Sequence, residues 1–129
     1  KEKGGPMGQM VIIIDDNEDI ANITCELLNT MGYNATSALS GEEGIAKAKA
    51  QKPGVILCDI GMPDMNGYDV AKYIRQDDEL KDVYLIAISG YSGPRDIKLS
   101  IEAGFDKHLI KPLNLDTLKM ILDGIFVSP

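Results

Sequence analysis

Three short, continuous apolar runs constrain the fold of this 129-residue chain more than any other feature. They cover residues 10–14, 55–58 and 83–88 and are rich in β-branched side chains. Runs of this length suit strands that are buried on both faces, which is typical of parallel sheets. Two weaker runs, residues 33–38 and 108–110, are shorter or more polar, as is typical of strands at sheet edges. The chain is therefore predicted to contain five strands.

The segments between these runs have helical spacing and recognisable helix ends. Ile20, Ile23 and Leu27 recur at intervals of three and four residues, the spacing of one helix face. Residues that cap or begin helices precede the other four segments: Ser40, Asn66, Pro94 and Asn114. Five strands that alternate with five helices predict an α/β fold, a doubly wound parallel sheet with helices on both faces.

The composition argues against several classes of protein. Asp and Glu number 20 against 13 Lys and Arg, which gives a net charge of −7 at pH 7. Because phosphate contacts need a basic face, we expect no direct nucleic-acid binding and no binding to anionic membranes. Cys25 and Cys58 lie in apolar patterns without the spacing of a zinc site, so we expect reduced cysteines and a cytoplasmic location. Residues 1–9 are rich in glycine and are predicted to be a linker or a remnant of one, which leaves residues 10–127 as one domain.

Polar residues follow four of the five predicted strands. Asp15 and Asp16 follow the first strand and Asp59 follows the third. Ser89 follows the fourth strand and Lys111 follows the fifth. Ligands of open α/β sheets bind at the carboxyl ends of the strands, so we expect these five side chains to converge. Each of them alone would be an ordinary turn or surface residue, but turn chemistry does not require acids after two central strands.

The chemistry of this set favours a hard cation and a phosphoryl group. Three close carboxylates repel one another, so either one keeps its proton or a cation neutralises them. An all-oxygen ligand set with no Cys or His nearby favours Mg²⁺. A carboxylate beside such a cation can attack phosphorus and form an acyl phosphate. Lys111 would then supply a second positive charge, and Ser89 a hydrogen-bond donor to a phosphoryl oxygen.

At these residues the sequence resembles the receiver domain of two-component response regulators of the bacterial type. The resemblance covers residue 10 to about residue 127, and residues 59–67 are its most specific stretch. The acidic pair, the Ser89-Gly90 step and the Lys111-Pro112 step match the family at the same relative positions. The resemblance implies a flavodoxin-like (βα)5 fold with strand order 2-1-3-4-5.

The resemblance also assigns roles to the site residues. Asp59 would be the phosphoacceptor and a direct ligand of Mg²⁺, together with Asp16 and the backbone carbonyl of Gly61. Asp15 would act on the ion through water. Ser89 and Lys111 would bind phosphoryl oxygens, and the Lys111-Pro112 peptide bond would be cis.

The implied function is a phosphoacceptor switch in two-component signalling. Its partner would be a histidine kinase or a histidine phosphotransfer protein, whose phosphohistidine supplies the phosphoryl group. The domain would catalyse its own phosphotransfer and its slow dephosphorylation, without being an enzyme in the ordinary sense. The signal would leave through the face of the fourth and fifth βα units, and phosphorylation would bring two copies together as a homodimer.

One residue departs from the family pattern. The switch position, three residues before the lysine, is commonly Tyr or Phe, and here it is His108. In the family, the hydroxyl residue, here Ser89, moves toward the phosphoryl group and the aromatic ring fills the space left behind. Histidine is smaller and polar, so we expect a shallower switch at Ser89 and His108.

Several other interpretations remain open at this stage. The chain could be an interaction module that no longer accepts phosphate, although its set of acids, serine and lysine is complete. A flavodoxin-like cofactor binder is disfavoured because acids follow the first strand, where a phosphate loop would be needed. A phosphatase with an Asp nucleophile would need an Asp-x-Asp motif, which Asp15-Asp16-Asn17 does not provide. The domain could stand alone, belong to a longer response regulator, or, as residues 1–9 favour, be the receiver of a hybrid histidine kinase.

Overall fold

A computed structural model of the protein describes residues 10–91 and 93–127. Strands and helices alternate along the whole of this length. The strands are β1 (Met10–Ile14), β2 (Asn34–Ala38), β3 (Val55–Asp59), β4 (Tyr84–Ser89) and β5 (Lys107–Ile110). The helices are α1 (Glu18–Thr30), α2 (Gly41–Gln51), α3 (Gly67–Gln76), α4 (Pro94–Ala103) and α5 (Leu115–Val127). The linker predicted at residues 1–9 lies outside the described residues.

The five strands form one parallel sheet in the order β2-β1-β3-β4-β5. This confirms the predicted fold class and strand order. The strands with weaker patterns, β2 and β5, lie at the two edges. The central strands carry continuous apolar runs because helices cover the sheet on both faces.

Alternate residues of the central strands pack into two separate cores. Ile12 and Ile14 of β1 pack with residues of α2, α3 and α4 on one face of the sheet. Val11 and Ile13 pack with residues of α1 and α5 on the other face. Since successive side chains of a strand point to opposite faces, one apolar run supplies both cores.

The ends of two central strands differ from the prediction by one residue. The sequence pattern ended the third and fourth strands at Cys58 and Ile88, whereas β3 and β4 extend to Asp59 and Ser89. Asp59 pairs in register with Ile88, and the backbone N–H of Lys111 donates to the carbonyl of Ser89 over 2.8 Å. These polar residues therefore belong to the sheet, which holds their backbone more firmly than a turn would.

The predicted capping residues begin their helices. The Ser40 hydroxyl accepts from the N–H of Glu43 over 3.1 Å, and the Asn66 side chain accepts from the N–H of Asp69 over 3.0 Å. The Glu43 carboxylate accepts from the N–H of Leu39 over 2.7 Å, just before α2 begins. The longest helices, α1 and α5, have 13 residues each, and in the described part of the chain no helix could cross a membrane.

Arg75 joins three segments at the amino-terminal edge of the sheet. Its Nε donates to the carbonyl of Gly104 over 2.8 Å, at the end of α4. Its Nη1 donates to the carbonyls of Lys81 and Val83 over 2.7 Å each, before β4. Its Nη2 lies 2.8 Å from the Asp106 carboxylate, before β5. The guanidinium thus fixes the carboxyl end of α4 to the starts of two strands.

We predict that Arg75→Lys destabilises the fold by about 1–3 kcal/mol, because a single ammonium cannot donate to all four acceptors of the planar guanidinium. Chemical denaturation monitored by circular dichroism measures the change in the free energy of unfolding. The matched control is Arg95→Lys, an exposed residue of α4, for which we expect a change within about 0.5 kcal/mol. Equal unfolding midpoints for the two variants would contradict the role of Arg75.

Candidate functional site

The candidate site lies where the central strands end, at the carboxyl edge of the sheet. Asp15 directly follows β1, Asp59 ends β3, Ser89 ends β4 and Lys111 directly follows β5. The Lys111 ammonium nitrogen lies 3.1 Å from Asp59 Oδ1 and 3.8 Å from Asp15 Oδ2. Residues almost 100 positions apart in the chain are therefore in contact, as the position of the strand ends predicted.

Three carboxylates form a cluster beside this lysine. Asp15, Asp16 and Asp59 each place an oxygen within 4.8 Å of the others. Asp15 and Asp59 are buried, with 5% and 6% of their surface exposed, whereas Asp16 is exposed. Within residues 10–91 and 93–127 this is the one group of three or more potential metal-ligating side chains.

The electrostatics of the cluster are unfavourable for Asp15. Burial is the main cause that raises the pKa of its carboxyl above the ordinary value of 3.8, and the charge of Asp59 raises this pKa further. Two groups lower this pKa, although they do not cancel the increase. They are the Lys111 ammonium and the backbone N–H of Asn17, which donates to Asp15 Oδ1 over 2.9 Å. The ionised form of Asp15 is therefore destabilised in the folded chain, and an added cation would relieve this cost.

The loop after β3 packs tightly against the backbone of Asp59. The N–H of Gly67 donates to the carbonyl of Ile60 over 3.0 Å. A Cβ atom on Gly67 would lie 2.7 Å from the Asp59 carbonyl oxygen, so only glycine fits at this position. Asp64 adopts the left-handed region with φ of 62°, and the N–H of Gly61 lies 3.4 Å from Asp59 Oδ1. The loop therefore holds its backbone within reach of the buried carboxylate.

Ser89 is buried, with 5% of its surface exposed, and its hydroxyl oxygen accepts from the N–H of Tyr91 over 3.0 Å. That bond uses one lone pair of the oxygen and leaves the hydroxyl hydrogen free to donate. The Lys111-Pro112 peptide bond is cis, which confirms the prediction.

His108 lies on β5 and is half-buried. Its Nδ1 lies 2.6 Å from Ser100 Oγ on α4, and its Nε2 lies 2.9 Å from the Tyr91 carbonyl oxygen. Neither partner was anticipated from the sequence. Ser100 resembles any small residue of an amphipathic helix, and Tyr91 takes part through its backbone, which carries no sequence signal.

An apolar groove opens beside the acid cluster. Its volume is about 410 Å³, and Asp15 and Lys111 lie in its wall. Six apolar side chains from α1 and from the segment after β5 also line it: Ile20, Ile23, Leu27, Pro112, Leu113 and Leu115. Ile20 and Ile23 are 42% and 57% exposed, so the groove is open to a binding partner.

Known proteins are similar to this chain in sequence and in fold. The response regulator receiver domain family matches residues 11–123 of the chain. The polar-differentiation response regulator DivK of Brucella anthropi is 28% identical over 120 residues, which are 90% of this chain and 98% of DivK. The chemotaxis protein CheY4 of Vibrio cholerae has a similar structure, with a TM-score of 0.86 and 27% identity over 91% of this chain and 98% of CheY4.

A third relative carries a metal ion. It is the receiver domain of a sensor histidine kinase from Pseudomonas aeruginosa PAO1, with a magnesium ion coordinated in its active site cleft. It is 26% identical to this chain, covers 94% of this chain and 99% of its own length, and superposes with a TM-score of 0.84. The family match extends over most of the chain, from β1 into α5. The chain therefore belongs to the response regulator receiver domains of two-component signalling.

Proposed function

We propose that this domain, at residues 10–127, is a phosphoacceptor switch in which Asp59 receives a phosphoryl group. The donor is the phosphohistidine of a histidine kinase or a phosphotransfer protein, as for receiver domains in general. The observation that carries the proposal is the Asp59 carboxylate itself, buried at the end of β3 and 3.1 Å from the Lys111 ammonium. Asp15 and Asp16 complete a site that can hold the charge of a phosphoryl group and a cation.

The transfer follows from the chemistry of a carboxylate nucleophile. An oxygen of Asp59 attacks the phosphorus, a P–O bond forms, and the P–N bond to the donor imidazole breaks with its electron pair on nitrogen. Lys111 stabilises the charge of the phosphoryl oxygens, and the free hydroxyl hydrogen of Ser89 donates to one of them. Attack by water on phosphorus later releases inorganic phosphate and restores the carboxylate, which gives slow dephosphorylation.

The residues of the cluster fit Mg²⁺. Their donor atoms are all oxygens, and a cation would offset the cost of ionising the buried Asp15. We propose Asp16, Asp59 and the Gly61 carbonyl as direct ligands. Asp15 is better placed to act through water, because one of its oxygens accepts from Asn17 and the other faces Lys111. When bound, Mg²⁺ would supply further positive charge for the phosphoryl oxygens.

The groove beside the cluster supports a protein as the donor. Exposed apolar side chains such as Ile20 and Ile23 lie next to a site of charged groups. A small phosphodonor needs no apolar surface, whereas a helix that carries a phosphohistidine would bury it.

We propose the β4-α4-β5-α5 face as the output surface. Ile97, Ile101 and Ile110 are exposed on α4 and β5, which supports docking of a partner or of a second phosphorylated copy on this face. The net charge of −7 supports a protein partner over direct contact with nucleic acid or with anionic membrane. Two reduced, buried cysteines support a location in the cytoplasm.

The complete site disfavours the other interpretations. An interaction module without phosphoryl chemistry has no need of a second buried carboxylate beside Asp59, and ionising that second group, Asp15, costs stability. A flavin phosphate would meet Asp15 and Asp16 at the end of β1 and be repelled.

We predict that Asp59→Asn abolishes phosphorylation, because an amide oxygen is too weak a nucleophile to form an acyl phosphate. Intact-mass measurement after incubation with acetyl phosphate and Mg²⁺ detects the added phosphoryl group. The matched control is Asp64→Asn, an exposed acid of the same loop whose left-handed backbone asparagine tolerates, and which should be phosphorylated like the parent. Equal labelling of the Asp59→Asn variant would refute the assignment.

We predict that Lys111→Met tightens Mg²⁺ binding by about fivefold while it lowers phosphorylation at least about tenfold. In the metal-free protein the Lys111 ammonium offsets the negative charges of Asp59 and Asp15. Without this ammonium, the two carboxylates attract Mg²⁺ more strongly. Calorimetric titration measures the affinity, and intact mass measures phosphorylation. Lys119→Met removes an equal charge from an exposed pair with Asp123 and should change neither property. If Lys111→Met behaves like this control, Lys111 has no role in the site.

We predict that Asp15→Asn raises the unfolding midpoint of the metal-free protein by a few degrees at about pH 7. The pKa of Asp15 is raised in the fold, so its ionised form destabilises the folded state at neutral pH. This cost disappears as the pH falls toward the ordinary value of 3.8, and the gain should shrink with it.

Thermal unfolding in the presence of a chelator, followed between about pH 7 and pH 4, tests this sign. The control is Asp78→Asn, an exposed acid far from the site, which should show little change. A midpoint for Asp15→Asn below that of the parent at neutral pH would show that ionised Asp15 stabilises the fold.

A further inference from the structure

The outer edge of β2 is a free edge of the sheet, and side chains of two helices cover it. A strand at a sheet edge leaves the backbone N–H and C=O groups of alternate residues without a neighbouring strand. Such a row of groups is a template for pairing with another chain. The groups that bond to this row in the protein therefore decide whether the edge is open.

The hydrogen bonds toward β1 show which residues of β2 face outward. The N–H of Asp15, which directly follows β1, donates to the carbonyl of Ala38 over 3.0 Å. The backbone groups of successive residues point to opposite sides of a strand, so alternate residues from Ala38 back to Asn34 bond toward β1. Ala35 and Ser37 consequently direct their N–H and C=O groups to the outside of the sheet.

Asn29, in the last turn of α1, occupies both outward groups of Ala35. Its Oδ1 accepts from the Ala35 N–H over 2.8 Å, and its Nδ2 donates to the Ala35 carbonyl over 3.1 Å. A side-chain amide has the same donor and acceptor as a peptide group. Asn29 therefore takes the place that the opposite residue of an antiparallel strand would have, since such a residue exchanges both bonds with its partner.

Lys47 of α2 covers the next outward position of β2. Its ammonium donates to the Ser37 carbonyl and lies 3.6 Å from a carboxylate oxygen of Glu43, one turn earlier on α2. The two outward residues have four backbone groups in all, and side chains occupy three of them. The fourth group is the N–H of Ser37.

We propose that Asn29 and Lys47 close the edge of β2 against a second copy of this chain, which would otherwise add its own β2 as an antiparallel strand. The two bonds between Asn29 and one residue of β2 have the pattern of an antiparallel pair. A two-fold axis between two copies produces the same pattern from two identical edges. The edge is therefore complementary to a copy of itself.

Closing this edge restricts where copies of the domain can associate. β2 lies at the opposite edge of the sheet from β5, which is part of the proposed output surface. A dimer through β2 would leave that surface outside the interface, so its formation would not depend on a change that phosphorylation produces there. This consequence rests on the proposed function, whereas the closing of the edge does not.

The test removes both covering side chains and measures self-association of the unphosphorylated protein. Asn29→Ala and Lys47→Met are combined, because alanine favours a helix and methionine keeps an apolar stem. Each copy then has three backbone groups free to pair, and each hydrogen bond adds to the affinity. Sedimentation equilibrium should give a dimer dissociation constant at least about tenfold lower than that of the parent.

The matched control makes the same two changes elsewhere on the same two helices. It combines Asn22→Ala, at an exposed position of α1, with Lys49→Met on α2. The Lys49 ammonium lies 3.6 Å from Asp77, beyond the end of α3, rather than at the edge of β2. This control should associate no more strongly than the parent.

Amide hydrogen exchange shows whether the copies meet through β2. As the double variant associates, exchange of the Ser37 amide should become at least about fivefold slower, because a second strand supplies an acceptor for it. In the dilute variant the Ala35 amide should exchange faster than in the parent, since it has lost the Asn29 oxygen. Exchange of the core amide of Leu57 should be equal in the dilute variant and the parent, which excludes a general loss of stability.

Two results would overturn the proposal. One is a double variant whose dissociation constant equals that of the Asn22→Ala, Lys49→Met control. The other is an association that leaves the Ser37 amide as fast as before, which would show that the copies meet at another surface.

The measurement is independent of the proposed function because no phosphodonor is present. If the parent protein accepts no phosphoryl group at Asp59, the proposed function fails. The dissociation constants and the exchange of the Ser37 amide still decide whether Asn29 and Lys47 close the edge of β2.

Discussion

The burial of the central strands on both faces is the constraint on which the rest of this structure depends. β1, β3 and β4 pack against helices on either side, so polar side chains along their length would lose water without gaining partners. Polar side chains can be buried with partners only at the strand ends. Asp15, Asp59 and Ser89 stand at those ends, where they are buried yet lie beside one another and beside Lys111. The architecture of the sheet therefore brings these polar groups together.

This convergence has an electrostatic cost that is characteristic of a functional site. Two buried carboxylates face a single ammonium, and the pKa of Asp15 is raised mainly because burial disfavours its charge. A fold selected for stability alone would not keep such a pair. The cost leaves the site ready to receive positive charge, and the tight backbone around Gly67 keeps the loop close to Asp59 although the acids repel one another.

Much of the fold and the site could be predicted from the sequence, because both depend on local patterns. The continuous apolar runs located the strands, and the weaker patterns correctly predicted that β2 and β5 lie at the edges. The carboxyl ends of parallel strands share one edge, so the convergence of Asp15, Asp59 and Lys111 followed from strand order. The exact strand ends were missed by one residue, because polar Asp59 and Ser89 resemble turn residues although the neighbouring strands continue to pair with them.

The sequence alone determined the alternation of strands and helices and the identity of the acids, the serine and the lysine at the site. Only the tertiary structure decided which groups His108 contacts. Its partners lie 8 and 17 residues away, on a helix and in a loop, and one of them is a backbone carbonyl that every residue possesses. Such contacts depend on how α4 is oriented against β5, which is set by packing over the whole sheet rather than by any local pattern of residues.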